Sequence, residues 1–320
     1  MKEEYKMLAD RLAAMGLDAG EIKKPVREMI IELPSWAVGN SGTRYGTFRD
    51  PGAARTIYDK IDDCAEIQRV LGICPVMASH VLWDVTGDGK YVPVREYAES
   101  KGMKIGTVHP NTFAGQEFRY GSLCSPREDV RRKSVEHVVD CVRIAREMGS
   151  KVIGMWMADG TNYPGQDSLR ERKHRLFEGL KALYDALDDD MLLVLEYKPI
   201  EPFIYTTDVQ DWGMSKLMCD KLGEKAKVLV DLGHHLDGVN IEQIISILLD
   251  EGKLGGFHFN NRRYADDDLI SGTIKPLELF LIFKEIVDAR FDGLDTAITY
   301  MLDQSHNIEP SIEGIIYSVM

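Results

Sequence analysis

Four segments in the second half of the chain end in residue types that bind metal ions. LLVLE (192–196), KVLVD (227–231), GGFHF (255–259) and TYMLD (299–303) carry Glu196, Asp231, His258 and Asp303 at or near their ends. Two clusters follow at close range: His234 and His235 after Asp231, and Asp266, Asp267 and Asp268 after His258. Singly, each has an ordinary explanation as an ion pair, a cap or a solvated loop. Together, on four successive segments, they point to one cation-binding centre. Glu196 and Lys198, two residues apart, share a strand face. An imidazole inside a buried strand needs a partner, because an unpaired buried polar group costs about 1–3 kcal/mol. On an extended segment Asp266 and Asp268 face the same way, with Asp267 turned aside. Carboxylates so close together resist ionisation unless a cation sits among them. Glu196, Asp231, His234, His258, Asp266, Asp268 and Asp303 exceed the needs of one tetrahedral zinc. They suit two divalent cations in mixed oxygen and nitrogen coordination: Mn2+ first, with Mg2+, Zn2+ or Co2+ as alternatives. Glu196 is the natural bridge between them.

Short apolar runs alternate with helical patterns along the whole chain. Strands are expected near 33–38, 75–82, 104–109, 151–157, 191–196, 226–231, 254–259 and 296–303. Helices are expected over about 52–71, 92–101, 127–148, 168–188, 211–223, 240–251 and 275–290. Asn240 before IEQIISILLDEG, with Gly252 after it, marks one helix at both ends. Eight strands alternating with helices predict an α/β fold, a closed (β/α)8 TIM barrel. No GxGxxG follows the first strand, which disfavours an open doubly wound sheet. The first residues predict an amphipathic N-terminal helix with Tyr5, Leu8, Leu12 and Met15 on one side. With no repeat or low-complexity linker, residues 1–320 are expected to form a single domain with a short C-terminal tail. Ligand-type residues at strand ends lie where such a barrel places its active site.

A net charge of −13 argues against a nucleic-acid binder. No run approaches a membrane span of about 18 apolar residues. Five widely spaced cysteines form no CxxC pair and read as free thiols of a reducing, cytoplasmic compartment. The first half supplies pocket walls. Trp36, His80, Trp83, Asp84, His109, Trp156 and Asp159 all fall at or just past expected strand ends. Aromatic faces stack on the C–H faces of sugars, while polar groups hold hydroxyls. A monosaccharide is the expected partner.

These residues sit in stretches that resemble L-rhamnose isomerase of the broad-specificity bacterial type, within the xylose-isomerase-like barrels. The matching stretches are PSWAVGNSGTRYG (34–46), SHVLWD (79–84), MWMADGTNYPGQ (155–166), LEYKPIEP (195–202), VDLGHH (230–235), GFHFNNRRYADDDL (256–269) and MLDQSHN (301–307). The resemblance implies that Glu196, Asp231, His258 and Asp303 hold a structural metal. It implies that Glu196, His234, Asp266 and Asp268 hold a catalytic one. It further implies that Lys198 contacts the O1/O2 region of the sugar, that His80 assists ring opening, that Trp36 and Trp156 pack on the sugar, and that the protein is a homotetramer. Family members usually continue into a longer helical extension, whereas this chain ends at Met320.

The function expected from the resemblance is metal-dependent aldose–ketose isomerisation between L-rhamnose and L-rhamnulose, by hydrogen transfer between C1 and C2. His80, Lys198, Asp266 and His234 are the expected catalytic residues. The alternative is a metal-dependent ketose 3-epimerase on the same barrel. A zinc phosphodiester hydrolase and an inactive sugar sensor are weaker rivals.

Overall fold

The computed structural model describes residues 2–40, 42–43, 46–202, 204–306 and 308–320. Strands β1 (Ile31–Pro34), β2 (Val76–Val81), β3 (Lys104–Pro110), β4 (Val152–Met155), β5 (Leu192–Glu196), β6 (Ala226–Asp231), β7 (Leu254–Phe259) and β8 (Thr299–Leu302) form a closed barrel. Neighbours in sequence are neighbours in space, and β8 returns to pair in parallel with β1 through Ile31 and Tyr300. The predicted TIM barrel is therefore the observed fold. Each strand is short and almost wholly buried, as expected when side chains fill the barrel on one face and helices cover the other.

Helices α1 (Lys2–Ala14), α2 (Ala19–Arg27), α3 (Ile57–Leu71), α4 (Val92–Ser100), α5 (Glu128–Met148), α6 (Leu169–Ala186), α7 (Trp212–Leu222), α8 (Ile241–Asp250), α9 (Pro276–Phe291) and α10 (Ser311–Val319) complete the chain. Their ends follow local chemistry. Thr56 and Asp59 form a reciprocal capping box at the start of α3. Asn240 accepts from the Gln243 N–H at 2.8 Å and so starts α8 as predicted. Gly149 closes α5 in the left-handed conformation, with φ 77°.

Three expectations shift. The first strand stops at Pro34, and Ser35–Val38 forms a 3-10 turn, so Trp36 leaves the barrel wall and turns over its mouth. The N-terminal helix forms but buries none of its residues; Met15, expected on its stripe, lies beyond it. The tail after β8 is not loose. It contains α10, which packs against α3 and the 3-10 turn and buries Ile315. The helix α2 was also unforeseen, although Asp18 caps it by accepting from the Gly20 N–H at 2.6 Å.

Beyond the barrel, Gly160–Thr161, Ile200–Glu201 and Tyr205–Thr207 form a small antiparallel sheet from the loops after β4 and β5. All five cysteines are buried and free. Among the described residues, no helix is long and apolar enough to cross a membrane.

Candidate metal centre and active site

Glu196 and Asp231 are the last residues of β5 and β6, His258 is the penultimate residue of β7, and Asp303 directly follows β8. One ligand atom from each lies within 4.8 Å of the others. Parallel pairing produces this convergence: Asp231 is in register with His258, and His258 with Met301. His258 Nδ1 lies 3.4 Å from Glu196 Oε2, 3.7 Å from Asp231 Oδ2 and 3.3 Å from Asp303 Oδ2. It makes no hydrogen bond with acceptable geometry to any of them. Donors about 2.0–2.2 Å from a shared cation lie roughly 3.0–3.6 Å apart. An orphaned imidazole nitrogen facing three carboxylates at such distances fits a divalent cation, and the donor set suits one.

A second set adjoins the first through Glu196. His234 Nδ1 stands 3.1 Å from Glu196 Oε1, and its Nε2 stands 2.7 Å from Asp266 Oδ1. Asp268 accepts weakly from Ser305 Oγ at 3.3 Å. Asp266 and Asp268 do face one way, but not by strand alternation. Both adopt left-handed backbone, with φ of 55° and 50°, while the Asp267 carboxylate ties the loop together. It accepts from the N–H groups of Arg263, Tyr264 and Ala265 at 2.9, 3.0 and 2.8 Å. Aspartate and asparagine tolerate this conformation better than other non-glycine residues.

The electrostatics show how much positive charge the centre demands. Burial pushes Glu196 up, but the facing His258 and His234 imidazoles prevail and hold it well below the usual carboxylate range. Burial pushes both histidines down, and the carboxylates around them outweigh it, raising both well above the ordinary imidazole value. Asp268 is driven well above its ordinary value by burial and by the charges of Asp266, Asp303 and Asp231.

Lys198 Nζ donates to Asp266 Oδ2 at 2.5 Å and to Glu201 Oε2 at 3.0 Å. Burial opposes its charge, but the two carboxylates overcome it and raise its pKa. The ammonium also sits 5.1 Å from the centre of the Trp156 ring. Opposite stands an aromatic wall. Trp36 meets His80 and His109 edge-on at 5.5 and 5.4 Å, and Phe113 meets Trp156 at 4.7 Å. Trp36 Nε1 donates to Asp303 Oδ1 at 2.8 Å, joining the wall to the carboxylate cluster. Wall and cluster enclose one cavity of about 200 Å3, lined by Trp36, His80, Trp83, His109, Phe113, Trp156, Glu196, Lys198, His234, His258, Asp266, Asp268, Asp303 and Ser305. Every residue expected to hold metal, act on the sugar or pack against it, except Asp231, reaches this cavity. Asp231 lies behind it, fully buried, held by the Gly233 N–H at 2.6 Å and by Asn260 Nδ2 at 3.0 Å.

The fold and the site correspond to a recognised family. A family described as xylose isomerase-like TIM barrel matches residues 84–294. The chain belongs to this family. A probable sugar isomerase of Rhizobium meliloti (strain 1021) is 42% identical over the whole chain and 75% of its own length. The L-rhamnose isomerase of Bacteroides thetaiotaomicron is a distant relative, 24% identical, matching 64% of this chain and 52% of that protein. The sequence resemblance is thus secure for the family of barrels and loose for the rhamnose-specific member. Among solved structures, a D-psicose 3-epimerase studied in the presence of D-fructose superposes with a TM-score of 0.64. It covers 90% of this chain and 89% of its own, at 12% identity. That likeness concerns the fold of the xylose isomerase-like barrel.

Two expected wall residues are not in the cavity. Asp84 is buried beneath it, paired with Lys60 at 2.5 Å, and accepts from the His80 N–H at 2.7 Å. Asp159 is consumed by Ser122 and the Cys124 N–H. Both follow strand ends, but their side chains turn inward to satisfy backbone. His235 also turns away, bonding Tyr197 Oη at 2.6 Å. Sequence reasoning missed Phe113, Ser305, Glu201 and Asn260. Only Asn260, two residues beyond His258, carried a usable signal, because alternation places it on the same face.

Proposed function

We propose that this barrel moves hydrogen at carbons next to the carbonyl of an open-chain monosaccharide, with the aid of divalent cations. The supporting observation is a buried Glu196 flanked by His234 and His258 at the floor of an aromatic-walled cavity. Glu196, Asp231, His258 and Asp303 would hold one cation, and Glu196, His234, Asp266 and Asp268 the other. Bound cations, Mn2+ foremost, supply Lewis-acid polarisation of the sugar's carbonyl and hydroxyl oxygens. Lys198, kept charged by its two carboxylates, donates hydrogen bonds to those oxygens and is unsuited to act as a base. His80 is held neutral by burial, and its Nδ1 has no hydrogen-bond partner among the described residues, so it is placed to accept a hydrogen bond from a sugar hydroxyl as the ring opens. Trp36 has committed its N–H to Asp303 and offers the sugar an apolar surface, as does Trp156. Assembly as a homotetramer belongs to the same proposal.

Two reactions use this chemistry. Ketose 3-epimerisation draws support from solved structures of the same fold, among them the D-psicose 3-epimerase. Aldose–ketose isomerisation, with L-rhamnose and L-rhamnulose as the first pair to test, draws support from the 42% identical sugar isomerase. The epimerase reading is supported at least as well as the isomerase reading. Separate incubations with L-rhamnulose, D-psicose and D-fructose, each in Mn2+, decide between them. Isomerisation yields an aldose, whereas epimerisation yields a second ketose and exchanges the C3 hydrogen with deuterated water. No conversion of any monosaccharide across an aldose and ketose panel, with metal bound, would overturn the proposal.

A further inference from the structure

The two candidate cation sites are backed by different chemistry. At one, the Asp266 carboxylate is gripped by a cation, the Lys198 ammonium at 2.5 Å. At the other, Asp231 has neutral donors behind it. The Gly233 N–H donates to its Oδ1 at 2.6 Å, and Asn260 Nδ2 bridges both oxygens, at 3.0 Å to Oδ1 and 3.1 Å to Oδ2. Among the described residues, no lysine or arginine pairs with Asp231; its ion-pair neighbour is His258. An ammonium neutralises part of a carboxylate's charge. An amide orients the carboxylate and leaves that charge for a cation in front of it.

Asn260 is fully buried directly after β7, and its backbone is fixed by Asn261 Nδ2, which donates to its carbonyl at 2.9 Å. Its side-chain Oδ1 has no hydrogen-bond partner among the described residues. A buried acceptor left unpaired costs stability. A small apolar side chain would avoid that cost but could not donate to Asp231. Gly233 completes the arrangement. A Cβ there would stand 2.9 Å from Asn260 Oδ1 and 3.1 Å from Asp231 Oδ1, so a side chain would press on both. No positive φ calls for glycine at this position; the close approach does. With Oδ1 held from two sides, Oδ2 is the oxygen turned toward His258 Nδ1, at 3.7 Å, in the cluster with Glu196 and Asp303.

We propose that Asn260 and Gly233 are positioning residues for the cation held by Glu196, Asp231, His258 and Asp303. They fix the Asp231 carboxylate without neutralising it, and so set the affinity of this site and not of its neighbour. This inference rests on the metal centre of the proposed function, but its test reads metal rather than turnover.

The test is titration of the metal-free protein with Mn2+, with Asp303→Asn marking which ion belongs to this site. Asn260→Ala should weaken that ion about 10–100-fold and leave the other within about threefold, the effect expected when a group that orients one ligand is removed. In Asn260→Ala/Asp303→Asn the remaining ion should bind as it does in Asp303→Asn. A merely structural role would weaken both ions together. Both affinities unchanged in Asn260→Ala, or both reduced alike, would overturn the inference. If Asn260→Ala does not fold, Gly233→Ala decides: it keeps every donor, and unless it weakens the Asp303-dependent ion the inference fails. Wild type that takes up no Mn2+ would overturn this inference and the proposed metal centre together. If wild type binds both ions and the variants behave as expected but no sugar is converted, the proposed reaction fails while this inference stands.

Discussion

Asp84 binds no substrate, yet replacing it should be among the most damaging changes near the site. Its side chain is fully buried, and Lys60 beside it is only 7% exposed. Besides Lys60, Asp84 accepts from Ser35 Oγ at 2.5 Å, Ser79 Oγ at 3.3 Å and the His80 N–H at 2.7 Å. Ser35 precedes Trp36, and Ser79 and His80 lie just before the end of β2, so one carboxylate fixes two walls of the cavity. Asp84→Asn preserves shape and one acceptor but leaves the Lys60 ammonium buried without a counter-charge. Breaking a buried pair in this way costs about 3–5 kcal/mol. Lys60→Met should cost less, because three donors still satisfy Asp84. Lys60→Met/Asp84→Asn removes both charges and should recover at least about 2 kcal/mol relative to the sum of the singles. Urea midpoints and slopes for the four proteins measure this coupling. Effects that add to within about 0.5 kcal/mol would refute the claim that charge compensation, rather than hydrogen bonding alone, holds the two walls together.

Glu196→Gln should lower bound metal, measured by elemental analysis, from about two ions per chain to below one, because it removes a shared ligand. Asp303→Asn should affect one ion only. Lys198→Met should reduce kcat on the converted sugar by about 10²–10³ with metal content retained, as expected for lost stabilisation of a developing oxyanion. His306 is held neutral by burial against Gly314 of α10, with its pKa below the ordinary 6.5. The unfolded chain therefore binds more protons below that pH, so this group's contribution to stability is complete above pH 6.5 and declines on acidification. His306→Leu should make the urea midpoint fall less steeply between about pH 6.5 and 5. An unchanged slope would show that the histidine does not titrate on unfolding.

Much of this fold was legible because each barrel strand is a short apolar run bounded by a helix with its own start and stop signals. The four residues of the candidate cation centre were legible for a related reason. A carboxylate or histidine that ends a buried strand has few alternatives to facing the barrel mouth. What could not be read were side chains whose direction depends on three-dimensional neighbours. Asp84 and Asp159 obey the same strand-end rule as Glu196, yet buried serines and backbone N–H groups draw them away from the cavity. Asp266 and Asp268 were paired for the wrong local reason, since alternation and two left-handed residues give the same facing. Phe113 and Ser305 lie in loops where no periodicity operates. The helix α10 was read as a tail because its partners, α3 and the turn carrying Trp36, are far away in sequence.

The bond from Trp36 Nε1 to Asp303 Oδ1 crosses the seam where the last strand meets the first, between residues 267 positions apart. The last residue of the candidate cation centre and the first wall of the cavity thus come together only when the cylinder shuts. A chain that ended after β7 would carry Glu196, Asp231 and His258 but neither Asp303 nor a closed barrel. An open barrel of that kind would expose unpaired strand edges, a feature that makes partly folded chains vulnerable to aggregation. Shutting the cylinder removes that hazard. A circular permutant with its termini joined and the chain opened instead between β3 and β4 would keep Glu196, Asp231, His258, Asp303 and Trp36, yet would lose the covalent order in which β8 comes last.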